Sequence, residues 1–536
     1  MIRRLLLVSL AIVLFGCMRT REPKLVILGL DAFNWHVLAP LIRDGRMPVM
    51  QGVLERGWWD ILLPEQGPIV SPRLWTSIAT GRTANGHGIW DWYVHEKGRG
   101  KHRSSPADRK CAAFWNVFSE HGLAVGVVDW MATWPPEEVN GYMVSKLDYP
   151  SMGNNTYPAE LESRVWALRG EFDYDRITPT NRDDQWAWLR DQLLLEAVRY
   201  LVETRPVDVL AVFNYTPDAV QHQFWKYHEP WEFQDEVWWE DSQRDDRLRD
   251  VVARQYVWCD TLLAACLKHA GPSTRILIVS DHGQGPVSAP RVIPTTGGFN
   301  RLMAALGYTT LDGETGVPLE SESTAWVAGV VDGHVGIVIN PAIDTPERYV
   351  ERIRAALGTL RFAHSGAPLF SFVGPRSDVQ YDGLRSWVVD LCAIPTVQPR
   401  DCLGGEHILT PGGAVPVTDL VRLDARNSGG HTPEGVVVLA GPSIRARGPL
   451  LTNPGPSERT PRQIDVLPTL LYLLGLPLSR ELDGRVLWEA LTPGLRSDRP
   501  VAYVDAYPFT PPPLVDEPPQ AQEFLTRKLK ALGYIQ

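Results

Sequence analysis

The chain has 536 residues, 44% of them hydrophobic and 22% charged, a balance that supplies a large apolar core and excludes a disordered or fibrous polypeptide. Its net charge is −10 and no Lys/Arg stripe stands out, so no nucleic-acid-binding module is expected.

The first segment reads as an export signal. Arg3 and Arg4 precede the run LLLVSLAIVLFGC, which is too short to cross a bilayer as a helix and suits a signal-peptide core. It closes on Leu14-Phe15-Gly16-Cys17, which resembles a bacterial lipoprotein signal. Residues 1–17 are therefore expected to direct export to the cell envelope, with Cys17 lipidated and holding the protein to a membrane on the periplasmic side or at the cell surface. Secretion without an anchor is the alternative. No later segment reads as transmembrane.

The body then alternates apolar runs with helical patterns. KLVILGLD (24–31) ends in Asp31, and Ser71-Pro72 opens a short helical stretch closed by Gly81. LAVGVVDW (123–130) is a second run, and residues ~186–203 follow as a helix. VDVLAVFNYTPD (207–218) leads to Asp218, with His222 one helical turn further on. Leu248, Val252, Tyr256, Cys259, Leu263 and Cys266 step by three and four, which predicts an amphipathic helix over ~244–269. RILIVSDH (275–282) and EGVVVLAGP (434–442) are further runs. Runs without alternation suit strands buried on both faces. The fold class is thus α/β, with a mostly parallel central sheet flanked by helices.

Residues 286–425 differ in character. Asp332-Gly333 inside STAWVAGVVDGHVGIVIN predicts a hairpin, and the region reads as an inserted α+β cap. Residues 18–285 and 426–500 would form the core around it. Within the second part, 465–477 is a core helix. Residues 501–536 form a tail, Pro-rich over ~507–520 and closed by a short helix at 524–535. Cys259 and Cys266 are separated by about 10 Å of helical rise, too far for a disulfide. Cys392 and Cys402 are left open as a pair.

In open α/β sheets, ligands bind beyond the carboxyl ends of the strands. Asp31, Asp218, Asp281 and His282 fall at such ends. His222 shares a helical face with Asp218, and His431 lies in the Gly-rich loop NSGGHTPEG before a strand. Each has an ordinary reading as a helix cap, a surface pair or a solvated loop side chain. Together, three Asp and three His offer oxygen and nitrogen donors for two divalent cations of the kind zinc satisfies. Such a pair, about 4 Å apart, can clamp the attacking and leaving oxygens of a phosphoryl displacement. Ser71 stands at a helix N-terminus that favours anions, or it merely caps that helix.

The segments VILGLDAFNW, SPRLWTSIATGRTANGHGI, YTPDAVQHQFW, IVSDHGQG, GGHTPEGVVVLAGPSIR, and IDVLPTLLYLLGLP with DGRVL after it, run in order over residues ~24–487. In that order they resemble the alkaline phosphatase superfamily, and within it the type I phosphodiesterase/nucleotide pyrophosphatase group. The resemblance implies that Asp31, Asp281, His282 and the Ser71 oxygen hold one metal, while Asp218, His222 and His431 hold the other. It implies zinc as the metal, a phosphate ester as substrate, and hydrolysis through a phosphoserine formed on Ser71. Trp92 occupies the position where nucleotide pyrophosphatases carry an Asn that contacts the substrate phosphate, which weakens the case for a nucleotide. Trp92 and Arg73 are the candidate substrate contacts. The sulfatase pattern is not met, because Ser71 is followed directly by Pro72 and Arg73.

A phosphomonoesterase or a phospho-head-group transferase would use the same site. A non-catalytic surface-binding lipoprotein is the alternative of another class, and the complete ligand set counts against it. His87 is expected to shape a turn. Trp225, Trp231, Trp238 and Trp239 line a cleft or cover the core edge, with the second reading preferred.

Overall fold

The unalternating runs become the middle of one eight-stranded sheet. The architecture comes from a computed structural model describing residues 21–96, 100–147, 153–169, 185–234, 238, 246–331, 333–344, 346–375, 377, 389–425, 427–450 and 453–531. Across the sheet the strands are Gly57–Leu62, Gly435–Ala440, Arg275–Val279, Leu25–Leu30, Val209–Asn214, Val125–Val128, Gly141–Val144 and Thr156–Tyr157. The 275–279, 25–30, 209–214, 125–128 and 141–144 strands pair in parallel. Along the 25–30 strand, Val26, Leu28 and Leu30 enter one core while Leu25 and Ile27 enter the other, so both faces are covered and the sequence has no polar alternation.

The first core is closed by helices that include Trp35–Arg43, Gln185–Thr204, Thr216–His228 and Val251–Cys266. The second lies under helices Ser71–Thr80, Phe114–Glu120 and Val466–Leu474. The helix expected over ~244–269 is shorter, because Asp246–Leu248 forms a separate 3-10 turn before it. The run at 434–442 does form a strand, but it is antiparallel to 275–279. The reason lies just upstream, where Gly429–Thr432 pairs antiparallel with Gly283–Pro286 beyond the end of the 275–279 strand. Too few residues follow to make a crossover, so the chain can only turn back.

A third apolar cluster runs from Phe299 to Val421, inside the region read as a cap. It contains a four-stranded antiparallel sheet in the order Ala325–Val331, His334–Ile339, Leu391–Pro395, Phe370–Pro375. The hairpin turn contains Gly333 at φ +79°, the left-handed region glycine favours. The two connections to the main sheet pair with each other in two successive antiparallel ribbons, 283–286 with 429–432 and Arg291–Pro294 with Val421–Asp424.

Cys402 is a free thiol, as are the buried Cys259 and Cys266, so Cys392 and Cys402 do not pair. Tyr507 and Phe509 of the tail pack against the second core, and the closing helix is Pro519–Ala531. No helix among the described residues is long and apolar enough to cross a membrane. The signal segment with Cys17, and Trp239, lie outside the described residues.

Candidate metal centre

Parallel pairing carries three chain segments to one edge of the sheet. Asp31 follows the 25–30 strand directly, and its backbone N–H donates to Asn214 O at 3.0 Å. Asp281 and His282 follow the 275–279 strand. All three side chains are buried. His282 Nε2 lies 3.5 Å from Asp31 Oδ1 and 3.5 Å from Asp281 Oδ2. These three atoms have no hydrogen-bond partner among the described residues. Burial, reinforced by the charges of Asp281 and Asp218, pushes the Asp31 carboxyl well above its usual range. Burial likewise raises Asp281 to about 7 and lowers His282 to about 3. His282 is therefore neutral, and Nδ1 donates to Gly283 O at 2.9 Å, which leaves the Nε2 lone pair facing the two carboxylates.

The second cluster joins a helix to a ribbon. Asp218 and His222 lie one turn apart on the 216–228 helix, and His431 comes from the 429–432 strand. Asp218 Oδ1 is 3.3 Å from His222 Nε2 and 3.4 Å from His431 Nε2. Burial opposes the charged form of Asp218, but His222 and His431 in their protonated forms, with Nε2 donating, outweigh it and hold the carboxyl well below its usual range; the neutral rings instead turn Nε2 lone pairs toward it. The His222 Nδ1 hydrogen bonds Gly429 O at 2.8 Å, and His431 Nδ1 bonds Ile69 O at 3.2 Å. Both Nε2 atoms are thus left as acceptors, and they face each other at 2.9 Å. The His282 and His431 rings stand 4.1 Å apart between centroids, so the two clusters adjoin.

Glycine makes the second meeting possible. A Cβ on Gly429 would stand 2.4 Å from Gln221 O, so only glycine lets the ribbon lie against the 216–228 helix. Two buried residues at the site carry no role in the sequence reading. Gln284 is the register partner of His431; its amide, oriented by its neighbours, donates to Asp218 Oδ1 at 3.1 Å and accepts from His222 N at 3.2 Å. Gln463 Nε2 donates to Asp281 O. The DHGQG stretch carried a signal for Gln284, as a polar side chain two positions beyond a candidate ligand; nothing marked Gln463.

Ser71 opens the 71–80 helix and is 1% exposed. The cap position is Val70, and Ser71 Oγ has no hydrogen-bond partner among the described residues, so the hydroxyl does not serve as a helix cap. Trp75 seats this helix on the central strand: its Cζ3 would be 2.7 Å from a Cβ on Gly29. The bond from His431 to Ile69 O ties the loop before Ser71 to the second cluster.

The candidate substrate contacts lie elsewhere in the packing. Arg73 is 2% exposed, and its guanidinium donates to Pro68 O and Gln66 O, both at 2.7 Å. The guanidinium is thus engaged by the 66–68 loop. Trp92 is half-buried against the second core, with its carbonyl accepting from Ser104 N. His87 Nδ1 accepts from Ile89 N, a turn contact, and its Nε2 lies 3.0 Å from Ser77 Oγ. Trp225 and Trp238 belong to the first core, while Trp231 is 58% exposed.

The mostly parallel sheet, with helices on both faces, is the alkaline-phosphatase-like α/β fold, and the chemistry-bearing side chains sit at its strand ends. Residues 25–359 match the family described as Type I phosphodiesterase / nucleotide pyrophosphatase, and the chain belongs to that family of phosphate-ester hydrolases. The alkaline phosphatase PafA superposes with a TM-score of 0.50 at 11% identity, covering 88% of this chain and 99% of its own. Murine ectonucleotide pyrophosphatase/phosphodiesterase 5 gives 0.47 at 12% identity, covering 88% and 100%. Phosphonoacetate hydrolase from Sinorhizobium meliloti 1021 gives 0.45 at 16% identity, covering 83% and 94%. No curated protein matches by sequence.

Proposed function

We propose that the protein is a two-metal hydrolase of phosphate esters, phosphodiesterase-like, with Ser71 as its nucleophile. One observation carries the reading. Two adjoining triads, Asp31–Asp281–His282 and Asp218–His222–His431, each gather their ligand atoms within 4.8 Å, and three of those atoms are buried without a hydrogen bond. Buried polar atoms left unpaired in this way are costly unless a cation takes the place of the missing partner. The mixed carboxylate and imidazole donors suit zinc. Asp31, Asp281 and His282, with the Ser71 oxygen, would hold one ion, and Asp218, His222 and His431 the other.

Bound there, divalent cations would lower the pKa of a nearby hydroxyl and offset the charge that builds on phosphoryl oxygens. Ser71 Oγ then attacks phosphorus in line. The new Oγ–P bond forms as the bond to the leaving alcohol breaks, and a phosphoserine results. The first-turn N–H groups of the 71–80 helix favour the anionic phosphoryl group at that end. Water attacks the phosphoserine in turn, releasing phosphate or its monoester and restoring the hydroxyl. Trp92 remains the candidate for the substrate's organic part. Export under the 1–17 signal, with Cys17 as lipid anchor, would place this chemistry in the cell envelope.

Hydrolysis of a paired chromogenic phosphate monoester and diester, with and without chelator, tests the reading. Turnover that needs metal and disappears in Ser71→Ala is expected. Full activity of Ser71→Ala, or turnover indifferent to exhaustive chelation, would overturn it.

A further inference from the structure

Behind the second cluster lies a buried polar network that the proposed chemistry does not use. Arg190, on the 185–204 helix, is 1% exposed. Its guanidinium donates to Asp129 Oδ2 and to Asn214 Oδ1, and lies 3.3 Å from Asp191 Oδ1. It also stacks over the Tyr215 ring, 4.3 Å from the centroid. Asp129 ends the 125–128 strand at φ +59°, and its other oxygen accepts from Leu147 N at 3.1 Å. The network therefore ties together the ends of neighbouring parallel strands.

Asn214 is where this network meets the site. Its carbonyl accepts from the N–H of Asp31, a ligand of the first cluster, at 3.0 Å. Its side-chain Oδ1 accepts from Thr216 N at 3.0 Å, which fixes the turn opening the helix that carries Asp218 and His222. Thr216 Oγ1 donates to Asp191 Oδ1 at 2.7 Å, and Gln255 Nε2 donates to Asp191 Oδ2 at 2.6 Å. One residue thus holds a ligand segment of each cluster, by its main chain on one side and its side chain on the other. Arg190 fixes the orientation of that side chain.

We propose that Arg190 and Asn214 act as a positioning pair that sets Asp218 and His222 against the Asp31 cluster, and so controls cation affinity at the second site. Neither residue is a catalytic residue. The inference rests on the two-metal reading above. Lysine at 190 keeps the charge, but a single ammonium cannot reproduce a planar fork that bonds several partners. Loss of an outer partner of a metal ligand typically weakens binding about 10- to 100-fold.

The test is a Co2+ titration of metal-free full-length protein, followed by d–d absorption and calorimetry. Wild type should bind two ions. Arg190→Lys should bind the first as wild type does and the second about 10- to 100-fold more weakly. Thr216→Val, which removes only the Asp191 bond, should weaken the second ion selectively and by less, and it serves if Arg190→Lys does not fold. Equal weakening of both ions would show a merely structural role and overturn the proposal, as would two wild-type affinities. Wild-type protein that binds no cation would instead overturn the two-metal reading itself, and the proposal with it.

Discussion

The Nε2 atoms of His222 and His431 face each other at 2.9 Å while each ring's Nδ1 is hydrogen-bonded to a backbone carbonyl. Two lone pairs at that distance repel, and a divalent cation between the rings turns the repulsion into ligation. Zinc should therefore stabilise the fold, by about 2.7 kcal/mol when free metal is 100 times Kd. Thermal melts of chelated and zinc-loaded protein check this, and a melting temperature unmoved by zinc would contradict it. His431→Ala should bind one fewer ion than wild type.

Gly29 lies in the central strand directly under Trp75, four residues along the helix from Ser71. A Cβ there would approach two Trp75 ring carbons at 2.7 and 2.9 Å and Phe213 at 3.3 Å. The surroundings are core, so the helix itself has to shift. Gly29→Ala should cost about 1–3 kcal/mol in urea unfolding, the range for overpacked cores, and should lower kcat by displacing Ser71. Wild-type stability and turnover would show that the helix is not seated by this contact.

The six candidate ligands could be read from the sequence because each adjoins an uninterrupted apolar strand or falls on a short-range pattern. Asp31 and Asp281-His282 end such strands, and Asp218 and His222 share one helical face. Four further features were not legible. The antiparallel direction of the 435–440 strand depends on the 283–286/429–432 pairing, which joins segments far apart in sequence. The strand GWWDIL at 57–62 finds its place at the sheet edge only through the 435–440 strand. Arg73 looked available beside Ser71, yet carbonyls of the preceding loop engage it. Arg190 and Gln463 act through tertiary hydrogen bonds that leave no local periodicity.

His36 and Glu229 form a pH-dependent pair, with His36 Nε2 2.6 Å from Glu229 Oε1. The hydrogen bond to Glu229 raises His36 above its usual value despite partial burial. Burial would raise Glu229, but His36 and the Trp225 N–H outweigh it and lower the carboxyl. The raised His36 stabilises the fold fully below about pH 6.5, and loses that contribution as pH climbs through its folded value. The lowered Glu229 contributes above about pH 4.5 and loses that as pH falls through its folded value. Both act together between those limits. The His36 side chain is 60% exposed, so solvent screening keeps the effect below about 1 kcal/mol. The stability difference between wild type and His36→Ala should peak near the middle of that window and vanish toward alkaline pH. A difference that grows above pH 8 would contradict the pairing.

A larger effect is expected at Glu137, which lies 7% exposed against Arg109 at 3%. Arg109 donates through two nitrogens at 3.0 and 2.8 Å, Trp115 Nε1 adds a bond at 2.8 Å, and Asn116 Nδ2 another at 3.0 Å. Burial opposes the carboxylate, yet Arg109 and these donors outweigh it and hold its pKa below the usual value. Removing the carboxylate leaves a buried guanidinium beside the Trp115 and Phe509 rings, at 5.2 and 4.7 Å from their centroids, without its counter-charge. Glu137→Ala should therefore cost about 3–5 kcal/mol in urea unfolding. Because Phe509 belongs to the C-terminal tail, proteolysis should reveal the tail released in this variant before the core unfolds. A stability loss below about 1 kcal/mol, the size of an exposed pair, would show that water reaches Arg109 and that the pair does not hold the tail in place.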